Sequence, residues 1–213
     1  MKLLNTYFPS LSDGLKENCS DLILEELLKI EPLFEYPNDV ASSFEIYLNS
    51  LKAVIIRVLP PEILEAGRGI SSLEDNPAIT GFYNQIAAAI PTVSWSTGTG
   101  SSPHIVTVTT LCSADYTHGV GRFLGDVYSR WLIPGKQLQL VYVNAMAFRF
   151  SLSPDLGFFI HEVFLKIETK KDLQIVQEHM PTLIKEVVLN ISAVGHARKI
   201  GRASCRERVS SPV

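Results

Sequence analysis

Ala147-Phe-Arg-Phe-Ser-Leu-Ser-Pro-Asp-Leu-Gly-Phe-Phe-Ile-His-Glu-Val-Phe-Leu-Lys-Ile-Glu168 is the stretch that decides the architecture. Phe148, Phe150 and Leu152 alternate with Ala147, Arg149 and Ser151, the two-residue period of a strand with one buried face. Ser153-Pro-Asp-Leu-Gly157 carries the residues of a tight reversal. Phe158 to Glu168 then reads as a second strand, dense in aromatic and branched side chains. Strands joined by so short a turn run antiparallel.

Upstream, Gln137–Asn144 gives another strand signal. Thr92–Ser96 and His104–Leu111 give two more, flanking Thr97-Gly-Thr-Gly-Ser-Ser-Pro103. Between these pairs lies a helix with Val120, Leu124, Val127 and Trp131 in register, ended by Pro134-Gly135. Thr169-Lys-Lys-Asp172 fits a capping box at the start of a last helix. The apolar face of that helix is Leu173, Val176, Ile184, Val187, Val188 and Ile191. Pro181 falls inside it, which predicts a kink or two abutting helices.

The first ninety residues read as helical. Ser20 is an N-cap before Leu24, Leu27 and Leu28, and Pro32 stops that helix. Val40, Phe44, Leu48, Leu51, Ile55 and Val58 repeat every three to four residues until Pro60-Pro61. Pro61–Ala66 makes a short turn closed by Gly67. Asn76-Pro77 opens a helix with Ile79, Phe82, Tyr83, Ile86 and Ile90 on one face. The expected class is α+β: a helical N-terminal layer, then a mostly antiparallel sheet in the order β-β-α-β-β-β-α with helices packed on one face. The expected division is a helical subdomain, 1–91, and a sheet subdomain, 92–199.

Composition narrows the function. The chain has 19 basic and 22 acidic residues. An acidic balance opposes nonspecific binding to nucleic acid or anionic lipid. Three cysteines make no disulfide framework and fit a reducing compartment. No apolar leader and no apolar run of membrane-spanning length occurs, so a soluble cytoplasmic protein is the expectation. Ile200-Gly-Arg-Ala-Ser-Cys-Arg-Glu-Arg-Val209 resembles the translation of one reading frame of a short-read sequencing adapter. That resemblance implies that genuine polypeptide stops near Lys199, that 200–213 is a non-native tail, and that the sheet subdomain continues in a larger protein. Without Arg202, Arg206, Arg208 and Glu207 the net charge is about −5.

The densest chemistry lies in Cys112-Ser-Ala-Asp115-Tyr-Thr-His118-Gly-Val-Gly-Arg122. A cysteine between a strand and a helix N-terminus is placed for a lowered pKa, with His118 as base and Arg122 as anion contact. Asp115 serves equally as a helix N-cap, and Cys112 as a small core residue. Gly119, Gly121 and Gly125 echo a dinucleotide loop, with the third glycine one position late and an antiparallel sheet around it. Thr97–Ser102 lacks the lysine of a phosphate-binding loop.

Arg149, His161 and Glu162 fall on consecutive strands as an anion-binding or acid–base group, but His161 and Glu162 point to opposite faces. An exposed Arg149–Glu162 ion pair and a core His161 beside Phe159, Val163 and Leu165 are the plainer expectation. Scattered histidines predict no metal site, and no cofactor is expected. The order α-β-β-β-α with Lys170-Lys171 resembles the double-stranded RNA-binding module, which implies phosphate contacts from those lysines. The leading expectation is a non-catalytic interaction or scaffolding region. Its partner would be the missing C-terminal part or another protein, met through Val187, Ile191 and Val194. The alternative is an enzyme fragment using Cys112, Asp115, His118 and Arg122.

Overall fold

The computed structural model describes residues 19–33, 41–98 and 104–209. Among these residues it shows six helices and a five-stranded antiparallel sheet, the α+β class expected. The chain divides into two units: residues 1–90 with 146–158, and residues 91–145 with 159–213. The tip of the hairpin at 146–158 groups with the helical unit.

In the first unit, α1 (Cys19–Leu27) leads into β1 (Ile30–Pro32), followed by α2 (Ala41–Val58), α3 (Pro61–Arg68) and α4 (Asn76–Ala89). Pro61 opens α3 because its fixed φ suits a first helical position. Asp75, one residue before the expected cap, accepts the Ala78 N–H at 3.2 Å and starts α4. Leu24, Leu27, Leu51, Val54, Ile55, Phe82, Tyr83 and Ile86 form the buried interior. The Tyr83 hydroxyl donates to the Leu27 carbonyl at 2.7 Å, which satisfies an orphan acceptor at the end of α1.

Gly67 does not close α3; it lies inside the helix, and Gly69 is the C-cap with helical φ. A Cβ at Gly67 would lie 2.8 Å from both Leu24 Cδ1 and Phe82 Cε2. Close approach of α1 and α4 is therefore what this glycine provides. β1 was expected to be helix as far as Pro32. As an edge strand it tolerates proline, because an edge position can leave the missing N–H unused.

The second unit begins with β2 (Thr92–Thr97) and β3 (Ile105–Ser113), paired antiparallel from Thr92 opposite Leu111 to Thr97 opposite Val106. A 3-10 turn (Ala114–Tyr116) leads into α5 (Thr117–Arg130). β4 (Gln139–Phe150), β5 (Ser153–Lys166) and α6 (Lys170–Val209) follow. Strand order in the sheet is β1-β4-β5-β3-β2.

Two expected strands are therefore one. No glycine or proline separates Asn144 from Ala147, so nothing ends the strand between them. The reversal also comes earlier, at Ser151-Leu152, and Ser153–Gly157 belongs to β5. From Phe158 to Leu165 every residue of β5 is buried, as in a strand covered on both faces.

The α6 capping box forms as expected. Thr169 Oγ1 accepts the Asp172 N–H at 3.0 Å, and Asp172 Oδ2 accepts the Thr169 N–H at 3.2 Å. α6 is a single helical run through Pro181 and through Lys199 to Val209, so of the two expected alternatives, a kink or two abutting helices, the second does not occur. Val187 and Ile191 are buried, which corrects the expectation of an unpaired apolar face; of the three residues only Val194 is exposed. Among the described residues no helix is long and apolar enough to cross a membrane.

Candidate functional site

Two contacts fix how β3 lies against β5. The Ile167 N–H donates to the His104 carbonyl at 2.6 Å, and the Thr109 hydroxyl donates to Glu162 Oε1 at 3.3 Å. The same antiparallel pairing sets Thr110 beside His161 and Cys112 beside Phe159. These four residues share the face that α5 covers. Tyr128 of α5 reaches that face, its hydroxyl 2.8 Å from Thr110 Oγ1. Gly121 of α5 lies where a Cβ would be 3.4 Å from Phe159 Cζ and 3.6 Å from His161 Cδ2. Those distances are ordinary van der Waals contact and place the first turns of α5 against β5.

This buried group is chemically quiet. Burial pushes the Cys112 thiol up to about 12, the opposite direction from a nucleophile's. Burial raises the Tyr128 phenol as well. His161 is 1% exposed, and burial lowers it to about 4, so it is neutral at physiological pH. Its ring stacks on Phe159 with centroids 6.3 Å apart, and Nδ1 has no hydrogen-bond partner among the described residues.

Two of the loop residues read from sequence, Arg122 and Asp115, face away from Cys112. Arg122 points to solvent, its side chain 91% exposed and its Nε 4.0 Å from Asp126 Oδ2. Asp115 is exposed in the 3-10 turn, where its N–H donates to Ser113 Oγ at 3.3 Å. His118 begins α5, and its side chain lies outside the described residues. Thr97–Ser102 likewise lies largely outside them. Gly119 does adopt a positive φ of 89°, but the sheet beside it is antiparallel, unlike a dinucleotide fold.

Arg149 and Glu162 take separate partners, which corrects the expected ion pair between them. Arg149 lies opposite Glu31 of β1 and bonds it, with Nη2 and Nε each 3.1 Å from Oε2. Glu162 is buried and holds the Thr109 hydroxyl. The sequence offered no sign of β1, and hence none of Glu31 as the partner.

A second polar cluster joins residues more than thirty positions apart. Lys136 Nζ donates to Glu168 Oε2 at 2.6 Å and to Asp172 Oδ2 at 2.9 Å. The hydrogen bonds to Glu168 and Asp172 raise the Lys136 ammonium, and those from Lys136 and Thr169 hold Asp172 below its ordinary value. Lys136 follows Gly135, whose φ of 73° turns the chain back toward α6. His179 Nδ1 lies 3.1 Å from the Leu132 carbonyl and ties the same connection to α6.

Lys170 and Lys171 are exposed, but only two strands separate α5 from α6. The element order behind the RNA-binding resemblance is therefore α-β-β-α, one strand short. Among the described residues no group of three or more histidine, cysteine or acidic side chains is placed to hold a metal ion. No family model matches the chain, and no curated protein and no solved structure is similar to it.

Proposed function

We propose that the chain is a non-catalytic interaction or scaffolding module of a cytoplasmic protein, with native sequence giving way to adapter-derived residues near Lys199. Cys112 supports the non-catalytic reading. It is the nucleophile an enzyme reading needs, yet it is enclosed by β3 and α5 with a raised pKa. Arg122, its intended anion contact, faces water. A reducing compartment suits a buried thiol that takes part in no bridge.

Alkylation by iodoacetamide at pH 7 tests the reading, with peptide mass spectrometry resolving Cys112 from the other cysteines. Cys112 is expected to stay unmodified in the native protein and to react fully once unfolded. Labelling of the native protein faster than free cysteine would establish an activated thiolate and overturn the proposal. The origin of Ile200–Val209 is tested separately, by reading the source DNA across codon 199. Adapter sequence is expected beyond that codon, and an uninterrupted genomic reading frame through Val213 would overturn that part.

A further inference from the structure

The first half of β4 is an edge built unlike the β1 edge of the sheet. β1 pairs only with Phe148, Arg149 and Phe150 of β4, and the Leu33 N–H reaches the Ala147 carbonyl at 3.1 Å. Among the described residues no strand lies along Gln139–Val143 on the side away from β5. Leu140, Val141, Tyr142 and Val143 are consecutive and 40%, 41%, 48% and 43% exposed, so both faces of this segment carry apolar surface open to water.

Native sheets blunt such edges with lysine, proline, charge or bulges. β1 has those devices, in Pro32 and in the Glu31–Arg149 pair. Gln139-Leu-Val-Tyr-Val-Asn-Ala-Met146 has none: no charge, no proline and no glycine. The nearest lysine before it, Lys136, is turned toward Glu168 and Asp172. Trp131, 64% exposed, adds to the apolar surface two residues beyond Ser129, whose carbonyl accepts the Leu138 N–H.

We propose that the Gln139–Val143 edge of β4 pairs antiparallel with the same segment of a second copy of this chain, forming a dimer with a continuous sheet. Self-pairing suits this segment better than a charged or proline-bearing partner strand. An uncharged strand meets its own copy with no like-charge repulsion, and antiparallel pairing about a twofold axis makes one edge complementary to itself. Cross-strand contacts among Leu140, Val141, Tyr142 and Val143 then cover the apolar surface on both faces. The inference deepens the interaction reading by naming a partner. So short an interface belongs to the weak, reversible class.

Sedimentation equilibrium on the full chain, up to about 100 µM, tests it, with Kd read from the concentration dependence. The wild type is expected to dimerise. Val141→Lys and Leu140→Lys, on opposite faces of the strand, are each expected to raise Kd by about tenfold or more while circular dichroism stays unchanged. Mixing Val141→Lys with Val141→Glu is expected to restore dimers, since opposite charges across the seam attract. A wild type that stays monomeric over this range, lysine variants that dimerise undiminished, or a mixture that stays monomeric would each overturn the proposal. Those failures leave the Cys112 labelling result untouched, so this inference and the non-catalytic reading fail separately.

Discussion

Phe150→Ala is expected to remove about 3–5 kcal/mol from the stability of the protein, the usual loss when a fully buried aromatic ring is deleted. Phe150 has no exposed surface and is the meeting point of three other rings. Its centroid lies 5.4 Å from Tyr83, 5.5 Å from Phe148 and 5.0 Å from Phe158, and the last two contacts are edge-to-face. Such geometry adds to area burial because ring edges meet ring faces. Tyr83 is further fixed by its bond to Leu27, so it cannot readily move into the space left behind.

Domains of this size are stable by about 5–15 kcal/mol in total. The loss should therefore lower the melting temperature by about 10 °C, at about 2–4 °C per kcal/mol. Leu152→Ala, in the exposed turn of the same hairpin, provides the comparison and is expected to cost about 0.5 kcal/mol or less. Urea unfolding of both variants checks this. Equal losses at the two positions would mean that the aromatic cluster does not carry the core.

The strand that holds Phe150 was legible because period-two alternation is local. Phe148 and Phe150 are buried as their spacing predicts, while Leu152 ended up in the turn. The helices α2 and α4 were legible for the same reason, with bounds set by Pro60-Pro61 and by Asp75 with Pro77. What could not be read depends on partners distant in sequence. β1 has three residues, too few for any periodicity, and it exists only because β4 offers an edge. Arg149 therefore had a visible charge and an invisible partner in Glu31, 118 residues away.

At the candidate site the limit was one of direction. The residues between Cys112 and Arg122 cluster in sequence, but a strand end and the first turns of a helix point their side chains different ways. Cys112 turns inward beneath α5 and Arg122 turns out to solvent. In the sequence Gly121 belongs to an echo of a dinucleotide loop. Its neighbours in the fold are Phe159 and His161 of β5, in place of a nucleotide's phosphates.

That contact bears on how the protein responds to acid. His161 is neutral at pH 7, with burial holding it down to about 4 against an ordinary value of 6.5. Among the described side chains, the other titratable groups on its face, Cys112 and Tyr128, are held neutral by burial and offer no negative charge to an imidazolium. In the unfolded chain the ring takes up a proton near pH 6.5, whereas in the folded protein it resists until about pH 4. Stability is thus fully present above 6.5, falls as the pH drops from 6.5 to 4, and levels off below. The difference corresponds to about 3 kcal/mol across that window.

Asp172 works in a separate range. Its hydrogen bonds to Lys136 and Thr169 lower its pKa, so its contribution is lost only below the ordinary carboxylate range. His161→Leu separates the two. It is expected to flatten urea-unfolding stability between pH 6.5 and 4 and to leave the further loss at lower pH in place. It should also unfold no more easily than wild type at pH 7, because it removes a buried ring nitrogen that has no partner among the described residues. A wild-type protein whose stability is level from pH 7 to 4.5 would show that His161 protonates without penalty, and that water or a polar group reaches its ring.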